Sequence, residues 1–176
     1  LEGGNIVNIL VIHSHNANRG DEAAVKAMVD ELLIKYPGAK ITISNNGFTP
    51  YPGMPENVIQ IDRFPKLESR IAQLEFFIVL LFKGKFALTK EARKFIRALK
   101  EADVVLHAPG GPSIGDTYFK AEKLYLWRLN LIRRMGIPYI FYAPSMGPFN
   151  CASRNKLRKE VISGAERIIL RDPISV

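Results

Sequence analysis

Four short segments of this chain collect the residue types that bind small polar groups. The first is His13-Ser14-His15-Asn16-Ala17-Asn18-Arg19-Gly20-Asp21-Glu22, where Asn18, Arg19, Gly20 and Asp21 make a polar turn suited to a sugar or a phosphate. The same asparagine and aspartate suit a helix start, where a short polar side chain accepts from a free backbone N–H, so binding and capping both stand as readings. The second runs from Pro109 to Asp116 and holds Gly110, Gly111, Ser113 and Asp116. Glycines there let backbone amides approach a ligand, or serve only a tight turn. The third, Ala143-Pro144-Ser145-Met146-Gly147-Pro148-Phe149, is a rigid turn that sets Ser145 and Gly147 on a binding floor or simply reverses the chain. In the fourth, Arg171-Asp172-x-x-Ser175, Arg171 can grip a carboxylate or phosphate with two parallel N–H groups. It can equally pair with Asp172 while Ser175 caps a helix.

The first loop lacks the Gly-x-Gly-x-x-Gly that brings a pyrophosphate close to a helix start, so a nicotinamide or flavin site of that type is not expected. There is no Walker lysine motif, and no histidine-cysteine cluster has metal-ligand spacing, so no metal site is expected.

Each segment follows a stretch that reads as a strand. Residues 5–12 are β-branched and mostly apolar, as a strand buried on both faces should be. Further strands are expected over 39–44, 58–61, 103–108, 137–143 and 167–170. Between them the apolar spacing predicts helices: from Asp21 to Tyr36 with Ala24, Met28, Leu32 and Leu33 facing inward, over 66–83, from a Thr89 cap to Glu101, from Thr117 to Met135 ending at Gly136, and from Ser153 to Ser163. Strands that alternate with helices need right-handed crossovers. The expected fold class is therefore α/β, a Rossmann-like open parallel sheet with helices on both faces. In such sheets ligands bind outside the carboxyl ends of the strands, which is where the four segments fall.

The 176 residues suffice for one domain, and 47% hydrophobic with 24% charged residues excludes a disordered or fibrous chain. The single cysteine, Cys151, makes no internal disulfide, which fits a reducing compartment and a cytoplasmic location. The opening Leu1-Glu2-Gly3-Gly4 lacks the basic and apolar regions of a signal peptide. The longest dense apolar run, from Phe76 to Phe82, falls well short of the ~20 residues a membrane-spanning helix needs. A strand followed by a capping Ser175 announces another helix, so a second, C-terminal domain is expected beyond Val176. The net charge of +8 is concentrated: residues 63–100 carry ten basic against three acidic side chains, whereas residues 1–62 carry four against seven. Such a block favours an anionic partner without choosing among phosphate-bearing substrate, acidic glycan, lipid or nucleic acid.

Taken in order, the four segments resemble the polysaccharide pyruvyl transferase family. The resemblance rests on Asn18-x-Gly20-Asp21-Glu22-Ala23, Gly110-Gly111-Pro112-Ser113-Ile114-Gly115-Asp116, Ser145-Met146-Gly147-Pro148-Phe149 and Arg171-Asp172-x-x-Ser175, and leaves out residues 62–101. It implies the N-terminal half of a GT-B type fold, two Rossmann-like domains facing a cleft. It further implies transfer of the enolpyruvyl unit of phosphoenolpyruvate to two sugar hydroxyls, giving a pyruvate ketal on a cell-surface polysaccharide or its precursor, with no cofactor beyond that donor substrate. A glycan or lipid-linked glycan is the implied acceptor, with the donor site mostly in the second domain. That chemistry needs an acid to protonate the enol methylene and cations to hold carboxylate and phosphate. His13, His15 and His107 are the candidate acids, although a histidine at a strand end is commonly just packed.

Within residues 66–83, Leu67, Ile71, Leu74, Ile78 and Leu81 make one apolar stripe, and Phe76, Phe77, Val79, Leu80 and Phe82 spread it round the helix. Burial against the sheet or a partner domain, or contact with the inner face of an anionic membrane, would cover it. Two rivals to pyruvyl transfer remain: a nucleotide-sugar glycosyltransferase of GT-B type, and a non-catalytic basic domain that binds glycan. Nucleic acid is not expected as a partner, because the basic residues are not interleaved with aromatic ones as in single-strand platforms.

Overall fold

A computed structural model describes residues 7–46, 49–65 and 70–171, excluding the side chains of 111–113, 119 and 120. The β-branched first segment forms β1 (Asn8–Ser14), followed by α1 (Arg19–Lys35), β2 (Lys40–Asn45) and β3 (Val58–Asp62). Then come α2 (Arg70–Leu81), α3 (Lys90–Glu101), β4 (Val104–His107), β5 (Gly110–Ile114), α4 (Phe119–Met135), β6 (Tyr139–Tyr142), β7 (Pro144–Met146), α5 (Ala152–Ser163) and β8 (Arg167–Ile169). The expected strand start at Asn5 and helix start at residues 66–69 lie outside the described residues, as do Asp172 and Ser175.

Six strands form one parallel sheet in the order β3-β2-β1-β4-β6-β8. Successive residues of β1 point to opposite faces, and the two cores follow that alternation. Ile9 and Val11 pack with Val25, Met28 and Val29 of α1. Leu10 and Ile12 pack with Phe76 and Val79 of α2, Phe95, Ile96 and Leu99 of α3, Leu126 and Leu129 of α4, and Val161 of α5. The fold is thus a Rossmann-like α/β domain with helices on both faces. In α1 the inward face is Val25, Met28 and Val29; Ala24, Leu32 and Leu33 are only half-buried, because the helix leans on the sheet through its middle.

α3 illustrates how local sequence sets an element. Thr89 accepts from the Ala92 N–H at 3.2 Å, and Ala92, Phe95, Ile96 and Leu99 then recur at helical spacing on the buried side. α4 stops where Gly136 takes φ +75, a left-handed conformation that glycine adopts without Cβ strain.

Two expectations need correction. The glycine-rich second and third segments are not loops throughout: β5 and β7 pair in parallel as a separate two-stranded sheet. Glycine and proline hid this, since neither favours a strand and the pairing partner lies far along the chain. Of the covers the sequence leaves open for the stripe Ile71, Leu74, Ile78 and Leu81, burial against the sheet is the one the structure overturns. Phe76 and Val79 are buried with Glu75, and the stripe faces outward, with Ile71, Leu74 and Leu81 exposed. The reason is polar: Glu75 Oε1 accepts from the Leu88 and Thr89 N–H groups at 2.8 and 2.6 Å, and Oε2 accepts from the Thr89 hydroxyl at 2.9 Å. Those bonds turn the Glu75 side of α2 inward.

Candidate functional site

The order of strands fixes where a ligand can enter. From β1 the chain moves outward through β2 and β3 on one side, then returns to place β4, β6 and β8 on the other. The connections after β1 and β4 therefore diverge to opposite faces and leave a crevice at the carboxyl ends of these two strands. A cleft of about 370 Å³ lies there, lined by His13, His15, Asn18, Asp21, His107 and Tyr125 among others. Two other grooves, of about 380 Å³ beside α3 and about 590 Å³ between α4 and α5, lie away from these strand ends. The smaller cleft is the candidate site because all three histidines of the chain converge on it.

His13, next to last in β1, takes φ +60, left-handed for a non-glycine residue, where the β1–β2 register slips between Val11 and Ser14. Strain of this kind persists where surroundings over-determine it, and it clusters at functional sites. The ring stacks on Tyr125 with centroids 4.1 Å apart and meets His107 edge-on at 4.7 Å. Both His13 ring nitrogens are buried without a hydrogen-bond partner. Burial, with His107, Arg128 and His15 nearby, holds its pKa well below the ordinary 6.5. Burial also pushes His107 down to about 4, although its Nδ1 donates to the Ala108 carbonyl at 2.9 Å. His15 is lowered by burial too, with Asp21 opposing and Arg128 and Arg63 adding to the shift. All three imidazoles are consequently neutral at pH 7.

Beneath the cleft is a cation. Arg128 lies one turn beyond Tyr125 on α4 and is 1% exposed. It donates through Nε to the Phe64 carbonyl and through Nη1 to Asn46 Oδ1 at 2.8 Å, while Nη2 has no partner. Its pKa falls to about 10, chiefly through burial. Among the described residues no carboxylate forms an ion pair with it. A buried guanidinium without a counter-ion costs several kcal/mol, so core packing alone does not account for Arg128 at this place.

The direction of the bonds leading from Arg128 is determined. The guanidinium only donates, so Asn46 presents Oδ1 to it and turns Nδ2 toward the Tyr125 hydroxyl, 3.5 Å away. Tyr125 accepts there, and its hydroxyl also shares a hydrogen bond with Nε2 of His15, in which it donates when His15 carries its proton on Nδ1. In that tautomer the Nδ1 proton of His15 has no hydrogen-bond partner among the described residues.

The segments singled out in the sequence are partly brought together. Asn18 caps α1, accepting from the Gly20 N–H at 2.8 Å, and also lines the cleft. Asp21 lines it too and packs on Gly110, where an added Cβ would sit 2.7 Å from Asp21 Oδ1. Gly147 donates its N–H to the Ile114 carbonyl at 2.8 Å, tying the third segment to the second. Arg19 and Gly20 are exposed at the start of α1, and Ser145 is half-buried in β7. Gly111 and Ser113 belong to β5, with side chains outside the description. Asp116 is held away from the cleft by Arg158 Nη2 at 2.6 Å and by the Cys151 N–H at 3.0 Å. Arg171 follows β8 at the sheet edge, two strand spacings, or about 10 Å, from β4.

Tyr125, Arg128 and Asn46 did not emerge from the sequence reading. A signal for the first two existed: Tyr125, Arg128, Leu129 and Ile132 share one helix face, and an arginine on an apolar face is the anomaly to follow. Among the described residues no group of three or more His, Cys, Asp or Glu side chains is arranged to hold a metal ion.

A parallel sheet with a histidine-lined crevice at its topological switch point defines a Rossmann-like domain with a candidate ligand site there. The sequence profile of the polysaccharide pyruvyl transferase family matches residues 18–176, nearly the whole chain, and the chain belongs to that family. The family is one of transferases, and its activity is pyruvyl transfer to polysaccharide. No curated protein matches the chain.

Proposed function

We propose that the pyruvyl group comes from phosphoenolpyruvate and is placed as a ketal on two hydroxyls of one sugar, with the crevice between β1 and β4 supplying proton transfer. The atoms balance simply. The enol methylene gains a proton to become a methyl group, two sugar oxygens bond to the former enol carbon, and its bond to the phosphate oxygen breaks. Of the two hydroxyl protons, one leaves with phosphate and one restores the acid.

The observation that carries this reading is the chain from Arg128 through Asn46 and Tyr125 to His15. As His15 gives its Nδ1 proton to the methylene, Tyr125 passes its own to Nε2. Burial raises the Tyr125 pKa above the ordinary 10 while Arg128 and the Asn46 hydrogen bond lower it, so the phenolate left behind depends on that guanidinium, which has no described carboxylate to neutralise it. The returning hydroxyl proton retraces the route. A neutral imidazole backed by a tyrosine suits a cleft whose histidines are all pulled below 6.5. A second Rossmann-like domain facing this one, in the GT-B manner, completes the donor site in this reading, and the acceptor is a glycan or lipid-linked glycan.

The test is product analysis on the full-length protein with an acceptor glycan. Inorganic phosphate released from phosphoenolpyruvate supports the proposal. Release of nucleoside diphosphate from a nucleotide sugar, with phosphoenolpyruvate inert, replaces it with glycosyl transfer. Glycan binding without turnover of either donor replaces it with a binding role.

A further inference from the structure

Seven of the fourteen exposed large hydrophobic side chains of the described residues lie between 71 and 88. At about 100° per residue, Ile71, Leu74, Phe77 and Leu81 share the outer half of α2, interrupted only by Arg70 and Gln73. Phe82 and Phe86 extend the surface beyond the helix, touching edge to face at 5.0 Å. Phe77 is 60% exposed and its neighbour Phe76 1%, so the apolar character of the outer face is not a by-product of core packing.

The exposed charge of this stretch is mostly basic, with Glu101, paired to Arg97, the acid that shares a groove with Lys85 and Arg93. Arg70, Lys83, Lys85, Lys90, Arg93 and Lys94 are exposed. Of the two described carboxylates between residues 70 and 97, Glu75 is buried in its bonds to Leu88 and Thr89, and Glu91 is half-buried. Arg93 donates to the Leu88 and Thr89 carbonyls, which leaves its charge uncompensated. A second copy of the chain docking face to face would set cation against cation.

We propose that α2 and the turn after it rest on the surface of an anionic lipid bilayer. The apolar side chains enter the boundary between headgroups and acyl chains, and the lysines and arginines around them meet lipid phosphates. The described helices include none long and apolar enough to cross a membrane, so the contact is with the surface. This surface lies on α2, apart from the crevice, and the inference stands independently of which donor the crevice takes.

Co-sedimentation of the full-length protein with phosphatidylcholine vesicles, with and without phosphatidylglycerol, tests it. Phe76→Glu is unsuitable because it strikes the core, so the variants are Leu74→Glu with Phe77→Glu, and Lys83→Glu with Lys85→Glu. The expected result is binding to the anionic vesicles that weakens with salt, falls about tenfold or more in the first variant at unchanged unfolding temperature, and loses salt dependence in the second. Absence of binding to either vesicle, or binding that both variants retain, overturns the proposal. So does a first variant that dissociates an oligomer or loses thermal stability, because protein would then be what covers the face.

Discussion

Gly115 lies so close to Gly147 that a Cβ on Gly115 would sit 2.2 Å from the Gly147 carbonyl oxygen. That contact joins the end of β5 to the turn after β7, and Gly115 also takes φ +154, where side chains are strained. Gly115→Ala is expected to cost about 3 kcal/mol or more in denaturant unfolding. Gly136→Ala, at φ +75 with nothing within 4 Å, should cost only about 1 kcal/mol. Similar costs for the two would remove the argument that backbone approach dictates glycine at 115.

Glu122 ties the same corner together. It accepts from the Gly115 N–H at 2.8 Å and from Arg158 Nε and Nη2 at 2.7 and 2.9 Å, with both side chains buried. Glu122→Ala leaves Arg158 Nε and the Gly115 amide without their acceptor, with Asp116 still paired to the guanidinium, and should cost about 2–3 kcal/mol. The pair Glu122→Leu with Arg158→Met should recover most of that loss, measured as a double-mutant cycle.

Asp116 gives this corner an acid limb. The hydrogen bond from Arg158, with those from backbone N–H groups, holds its carboxyl below the ordinary 3.8. A depressed folded pKa means the stabilisation is complete above the unfolded value and fades as pH falls below about 4 toward the folded one. Asp116→Asn should therefore lose stability at neutral pH and show a shallower decline below about pH 4 than the wild type.

The histidines produce a second, higher limb. His107 binds its proton at about 4 in the fold against 6.5 ordinarily, so between these values the unfolded state takes up a proton that the folded state refuses. Stability is intact above pH 6.5 and falls toward pH 4, by about 3 kcal/mol for His107 alone, and His13 acts in the same direction. NMR titration should show neither imidazole titrating near 6.5 while the protein is folded.

How much of this the sequence carries depends on the kind of signal. The β-branched run at β1 and the spacing of Phe95, Ile96 and Leu99 in α3 are local, and they predict the α/β sheet without a structure. β5 is different, since its partner β7 is some thirty residues away and its glycines and prolines favour no strand. The inner face of α2 does not follow from its apolar spacing, because one buried carboxylate, Glu75, outweighs an apolar stripe once Leu88 and Thr89 offer it three donors. Asn18 and the histidines were legible as chemistry-bearing types at strand ends. Tyr125 and Arg128 were not singled out, because their role depends on contacts with β1 and on Asn46, which sequence spacing does not reveal.

Arg128 separates function from stability. Arg128→Met removes a buried, unpaired charge but leaves the Phe64 carbonyl and Asn46 Oδ1 without a donor. These effects oppose each other, so unfolding free energy should stay within about 1 kcal/mol of the wild type. Loss of the cation should raise the pKa of both His13 and His15, visible by NMR.

Tyr125→Phe offers the most direct measurement. The variant keeps the ring that stacks on His13 and removes only the hydroxyl that meets His15. In phosphate release from phosphoenolpyruvate by the full-length protein, kcat should fall about a hundredfold with KM and unfolding temperature little changed, and His15→Gln should fall at least as far. Wild-type kcat in both variants would contradict the assignment of proton transfer to the crevice between β1 and β4.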